Sequence, residues 1–201
     1  MKRIAIERTT RETDIRVELG RFEASSDQPT LNRDTELDIA TGVPFFDHML
    51  SAMLFHGGFS CHIKAAGDLD VDDHHTVEDV GIVLGRAFRR IVEEQGPVER
   101  FGHGIVPMDD ALAETVVDVS GRGYLVFHAE FPQAHAGQFD LALVREFFQG
   151  FAGNALANVH VISRYGVNGH HLAEAIFKSA GRALNAAYRP ASSVLSTKGV
   201  L

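Results

Sequence analysis

"HHTVEDVGIVLGRA", residues 74–87, returns at residues 170–183 as "HHLAEAIFKSAGRA". His74, His75 and Glu78 are matched by His170, His171 and Glu174, and Gly85-Arg86-Ala87 by Gly181-Arg182-Ala183, all at one offset (170 − 74 = 96). Each copy opens a segment that reads as a helix, the first ending at Gly96-Pro97 and the second stopped by Pro190. Working backwards, "FSCHIKAAG" (59–67) and "ANVHVISRYG" (157–166) read as strands, and "PFFDHMLSAMLFHGG" (44–58) and "DLALVREFFQGFAGNAL" (140–156) as helices before them. Further back stand the alternating strands "RIAIERTT" (3–10), "DIRVELG" (14–20) and "TELDIA" (35–40) in the first half, and "ALAETVVDVS" (111–120) and "YLVFHAEF" (124–131) in the second. The polar stretch at 21–34 reads as a loop or hairpin. The order predicts an α+β fold made by tandem duplication of a sheet-plus-two-helices half-domain, with halves 1–96 and 97–201.

The duplication also carries chemistry. His62 and His160 lie in the strands before the two motifs, and equal distances upstream of them stand His48 and Glu146 (62 − 48 = 14; 160 − 146 = 14). Residues at i and i+4 share a helix face, so His74 with Glu78, and His170 with Glu174, can each grip one ion. Neighbouring helical residues are rotated by about 100°, so His75 and His171 reach a different ion from their neighbours. Two such motifs about a pseudo-twofold axis predict two metal sites, one of His74, Glu78, His171 and Glu146, the other of His170, Glu174, His75 and His48. Nitrogen and carboxylate donors without thiolate suit manganese, iron or zinc, with positions left open for a substrate. A lone His-His pair at a polar helix start is ordinarily a solvated face. Its recurrence in register argues otherwise, because imidazoles and carboxylates buried as a set would each need a partner, which a metal supplies. His62 and His160 read as strand histidines, and Met49, Leu50, Met53 and Leu54 as core.

Composition narrows the classes further. With 201 residues, 45% of them hydrophobic, the chain can fill a core, while a net charge of −8 argues against a general nucleic-acid binder. Cys61 is the single cysteine, so no intrachain disulfide or paired-cysteine zinc site is available. The start "MKRIAIERTT" has no signal-peptide pattern and no run is apolar enough to span a membrane, which predicts a soluble, cytoplasmic protein.

"TGVPFFDHML" (41–50), "DDHHTVEDVGIVLG" (72–85), "SGRGYL" (120–125), "GHHLAEAIFKSAGRAL" (169–184) and "STKGVL" (196–201) resemble the motifs of the imidazoleglycerol-phosphate dehydratases of histidine biosynthesis. The resemblance spans nearly the whole chain and implies two half-domains like the second domain of ribosomal protein S5. It implies two manganese ions per active site, and trimers assembled into a particle of twenty-four chains whose sites join residues of neighbouring chains. The metal ligands it implies are His48, His74, His75, Glu78, His170, His171 and Glu174, with Glu146 where many members have histidine. Three other departures are "DDAL" at 109–112 where Asp-Glu is frequent, Gly123 where proline is common, and the long polar segment 21–34.

The implied reaction is dehydration of D-erythro-imidazoleglycerol phosphate to imidazoleacetol phosphate. In it a dinuclear centre stabilises the substrate ring as an imidazolate. The resemblance assigns proton exchange to Glu12, and catalytic standing also to Glu78 and Glu174. It assigns substrate contacts to Glu12, His56, Arg100, Arg122, Lys178, Ser196, Thr197 and Lys198, whose cationic members suit a phosphate. Rival readings are a dinuclear metal-dependent phosphoester hydrolase, a metal-storage shell protein and a nucleic-acid module; metal-dependent formation of imidazoleacetol phosphate separates the first reading from all three.

Overall fold

Ile15, Val17 and Leu19 alternate with Arg16 and Glu18, and the three apolar side chains are almost wholly buried, so this segment is a half-covered strand. The computed structural model of the chain describes residues 3–21 and 36–196. The first half runs β1 (Ile4–Thr9), β2 (Thr13–Arg21), β3 (Leu37–Ala40), α1 (Pro44–Gly57), β4 (Phe59–Gly67) and α2 (His74–Gln95). The second runs β5 (Phe101–Met108), β6 (Ala111–Asp118), β7 (Tyr124–His128), a two-stranded β8 (His135–Ala136) and β9 (Phe139–Asp140), α3 (Leu143–Ala155), β10 (Asn158–Tyr165) and α4 (Gly169–Ala187). The polar segment at 22–35 and the tail residues Thr197 and Lys198 lie outside the described residues.

The two four-stranded sheets have the same order, β1-β2-β4-β3 and β5-β6-β10-β7. Even the register repeats. Ile6, Val17 and Ile63 stand side by side in one sheet, and Gly104, Thr115 and Val161 in the other (104 − 6 = 115 − 17 = 161 − 63 = 98). In each sheet the strand before the first helix pairs in parallel with the strand after it, β3 with β4 and β7 with β10. The helix ends follow their local chemistry. Pro44 opens α1 and Gly58, in the left-handed region at φ 66°, closes it, while the Asn168 side chain caps α4 by accepting the N–H groups of His170 and His171.

β5 departs from the sequence reading, which passed over it. Its inward positions include Gly102 and Gly104, which contribute no apolar signal because α4 lies directly on their backbone. A Cβ on them would come within 2.1 Å of the Ala183 carbonyl oxygen and 2.3 Å of that of Ser179. β5 is an edge strand, so Pro107 costs it no ladder bond on the open side. The β8–β9 hairpin was also unforeseen, and β7 stops at His128 rather than continuing to Phe131.

The helices pair across the duplication: α1 packs on α4 and α2 on α3. The repeated glycines make this possible. A Cβ on Gly85 would stand 2.5 Å from the Phe151 carbonyl oxygen, and one on Gly181 would stand 2.0 Å from that of Met53. The halves therefore share one core, in which Met49, Leu50, Met53 and Leu54 are buried as expected. Gly181→Ala forces α1 and α4 apart and is expected to cost about 1–3 kcal/mol, the usual penalty of overpacking. A denaturant midpoint equal to that of the unaltered chain would contradict this packing.

Candidate metal centre

Because α1 lies on α4, His48 of the first half meets His170 and Glu174 of the second. The three offer ligand atoms within 4.8 Å of one another, the only such group of three among the described residues. His48 Nε2 and His170 Nε2 both face Glu174 Oε2, at 3.5 and 3.3 Å. Burial pushes the Glu174 carboxyl up, but the Lys178 ammonium, hydrogen-bonded to its other oxygen at 2.6 Å, and the two imidazoles hold it below the usual range. The result is an ionised, hard oxygen donor between two nitrogens. That set fits a divalent transition ion.

The pseudo-symmetric set is more open. His74 Nε2 stands 3.8 Å from Glu78 Oε2, and Glu146 accepts from Arg145 Nη1 at 3.1 Å. Gly150 packs on the Glu78 carbonyl, where a Cβ would come within 2.7 Å, so Glu146, one turn earlier, is at the end of α2 that carries His74 and Glu78. The adjacent histidines turn elsewhere, as the helical rotation predicts. His75 Nδ1 faces both oxygens of Asp68 (3.0 and 3.2 Å), and His171 Nδ1 faces Asp110 Oδ1 at 2.6 Å. Each carboxylate raises the pKa of its histidine, chiefly through that hydrogen bond. Neither His75 nor His171 joins the three-residue cluster.

Glu12 is at the tip of the β1–β2 turn, its N–H held by Thr10 Oγ1 at 3.1 Å. The turn is anchored to the head of α2 through buried Asp79, which accepts from Thr13 Oγ1 at 2.5 Å and pairs with Arg8. This brings the Glu12 charge close enough to help raise the pKa of His75. Glu12 thus belongs to the metal end of the molecule.

A family model for imidazoleglycerol-phosphate dehydratase matches residues 41–184, a span that contains all eight candidate ligands. The chain belongs to the imidazoleglycerol-phosphate dehydratase family. It is 48% identical over 200 residues to the imidazoleglycerol-phosphate dehydratase of Acidithiobacillus ferrooxidans, covering 98% of this chain and 96% of that one. It is 46% identical to that of Gluconobacter oxydans over the same length and shares of each chain. Among solved structures it resembles the dehydratase of Pyrococcus furiosus (TM-score 0.83, 38% identity, 98% of this chain and 100% of that one). The dehydratase of Staphylococcus aureus is similar too (TM-score 0.79, 37% identity, 94% and 100% of the two chains).

The substrate-contact residues expected of a dehydratase fall at two ends. His56 and Lys178 lie along the α1–α4 seam beside the cluster, and burial, then the charges of Lys178 and Arg182, lowers the pKa of His56. Arg100, Arg122 and Ser196 gather at the opposite end, where β5 and β10 begin and α4 finishes. Arg100 bonds Asp118 (2.7 and 3.3 Å) and, through Nη1, the Leu195 carbonyl at 2.6 Å, and Arg122 reaches the Ser120 carbonyl at 3.3 Å. At 1.5 Å per residue along α4 the two ends are roughly 25 Å apart. They do not meet within one chain.

The ligand set is not packed into the core. The side chains of His48, His74 and His170 are 52%, 43% and 45% exposed; only Glu174, at 9%, is deeply set. The imidazoles stand on the surface because they occupy the first turns of their helices. Sequence reasoning also missed Asp68 and Asp110. The repeat contained one signal for the second, since Asp110 is one register offset beyond Glu12 (110 − 12 = 98).

Proposed function

We propose that the chain dehydrates imidazoleglycerol phosphate to imidazoleacetol phosphate in L-histidine biosynthesis, at two metal ions held by His48, His74, His75, Glu78, Glu146, His170, His171 and Glu174. Family membership supports the reaction. The observation that carries the metal reading is the cluster of His48, His170 and Glu174, drawn from both halves of the duplication. When bound, manganese would supply Lewis acidity toward the nitrogens of a substrate imidazole. His48 and His170 present nitrogen donors, and Glu78 and Glu174 present carboxylate donors. Lys178 keeps Glu174 ionised and adds positive charge for an anionic substrate. Glu12, on a turn fixed through Thr10, Thr13 and Asp79, exchanges the carbon-bound proton as general base and acid.

The phosphate would be held by Arg100, Arg122, Ser196, Thr197 and Lys198 of a neighbouring chain, with His56 and Lys178 completing the wall at the metal end. The separation of the two ends supports this, as do the exposed ligand side chains. The second sheet's outer face exposes Phe101, Ile105, Val116 and Tyr124 beside one Arg164–Glu114 ion pair, whereas the same face of the first sheet is covered by ion pairs of Arg16 with Glu7 and Glu18 and of Lys64 with Asp38. An apolar face of that kind fits a second copy of the chain, in trimers and in a twenty-four-chain particle. No described helix is long and apolar enough to cross a membrane, and the reading places the enzyme in the cytoplasm.

The test is direct. With imidazoleglycerol phosphate and manganese the chain yields imidazoleacetol phosphate, and a chelator stops it. Release of inorganic phosphate without the ketone would overturn the reading in favour of a phosphoester hydrolase.

A further inference from the structure

The duplication places Glu12 and Asp110 at equivalent tips, of the β1–β2 and β5–β6 turns, yet the two carboxylates have different surroundings. Glu12 is exposed at its tip. Asp110 is fully engaged: Oδ2 accepts the N–H groups of Val167 (2.7 Å) and Asn168 (3.0 Å), while Oδ1 takes His171 Nδ1 (2.6 Å). In the first half the corresponding task for His75 falls to Asp68, at the end of β4. The residue equivalent to Asp68 in the second half is Gly166 (68 + 98 = 166), where a Cβ would stand 3.0 Å from that of Ala111. The halves therefore solve one problem from two places.

We propose that Asp110 and Asp68 are positioning residues that fix the ring tautomer of His171 and His75, leaving Nε2 as the metal-binding nitrogen, and that Asp68 frees the equivalent turn carboxylate, Glu12, from that task. The proposal rests on His75 and His171 being ligands. A carboxylate can only accept, so the nitrogen facing it carries the proton and the far nitrogen keeps its lone pair. On the far side, the neighbour of His171 Nε2 is exposed Asp109 at 3.6 Å, a carboxylate with no proton to give and too far to accept one, so among the described residues no donor engages that lone pair.

The surroundings of Asp110 make the effect of one substitution predictable. In Asp110→Asn the side chain has one carbonyl oxygen left. The backbone N–H groups of Val167 and Asn168 are donors that cannot change role, whereas an imidazole can switch tautomer. The oxygen therefore stays with the backbone, the new amide N–H turns to His171 Nδ1, and the ring proton moves to Nε2, blocking the ligand. The loop itself remains strapped, because Gln133 accepts from Gly169 N–H at 2.5 Å and donates to the Val167 carbonyl at 3.0 Å. Among the described residues the hydrogen bonds to the Asp68 carboxylate come from His75 alone. In Asp68→Asn the new amide is therefore free to present its oxygen, and the change is mild.

The experiment uses the full chain labelled with ¹⁵N-histidine, metal-free and at alkaline pH where imidazoles are neutral, with long-range proton–nitrogen correlation to read each tautomer. Metal per chain is then measured after manganese is restored. The expected result is Nδ1–H at both His75 and His171 in the unaltered chain, and Nε2–H at His171 in Asp110→Asn with bound metal falling from about two ions to one. Asp68→Asn should keep both ions. Retention of Nδ1–H and both ions in Asp110→Asn overturns the proposal, as does an Nε2–H tautomer at either histidine of the unaltered chain, a reading that needs no variant to fold. An unaltered chain that takes up no metal would instead sink the ligand assignment, while the tautomers still decide the role of Asp110.

Discussion

Glu12→Gln is expected to lower turnover by roughly 10²–10⁴-fold, the usual contribution of a positioned general acid or base, while leaving metal content and substrate affinity near their original values. The amide keeps the shape of the side chain and cannot carry the proton. The turn should persist, because its anchors are the Thr10 hydroxyl on the backbone N–H of residue 12, and Thr13 with Arg8 on Asp79; none of them uses the Glu12 carboxylate. The loss should appear in kcat with KM little changed, the signature of an interaction made in the transition state. Steady-state kinetics on the two chains checks this. Turnover within a few-fold of normal would remove Glu12 from the mechanism.

A comparably large effect is expected at Glu146. It holds in α3 the place that His48 holds in α1, so in the proposed site each would complete a different ion's shell. Glu146→Ala should reduce tightly bound metal from about two ions per chain to one and stop dehydration, because a substrate ring gripped at one nitrogen is not activated as one gripped at both. Glu146→His should keep both ions, with preference moved from manganese toward softer ions as a carboxylate is exchanged for imidazole. Elemental analysis of the two variants decides the matter. Two ions retained in the alanine form would show that Glu146 is no ligand.

Those predictions rest on features that were legible in the sequence for identifiable reasons. The four long helices carry apolar periodicity and are bounded by Pro44, Gly58, Gly96 and Pro190, so their limits could be read within a few residues. The HHxxE sets needed only the helical rise to be read as chelating pairs, and His48 and Glu146 followed from the repeat. β5 was not legible, since Gly102 and Gly104 face inward and leave no side chains to form a pattern. The pairing of α1 with α4 and of α2 with α3 is a long-range choice that local periodicity does not encode, and it is what brings His48 to His170 and Glu174. Of the carboxylates behind His75 and His171, Asp110 comes from a turn 61 residues away and is marked in the sequence only by its repeat match to Glu12, while Asp68, 7 residues before His75, lies in a loop that periodicity does not read. Arg100 read as a phosphate contact, and its bonds to Asp118 and to the Leu195 carbonyl could not be read from the sequence, because both partners are distant along the chain.

In the proposed enzyme a working site is built between chains, with Glu12 and the metal ligands from one and the phosphate-binding end from another. Co-expression of Glu12→Gln and Arg122→Ala, each expected to be nearly inactive alone, tests this sharing of residues between chains. In mixed particles, random assembly leaves about a quarter of the sites with both residues intact, so activity should return to roughly that fraction of the unaltered enzyme's. Mixed particles that stay as inactive as either parent would place Glu12 and Arg122 in the same chain's site and rule out a site shared between chains.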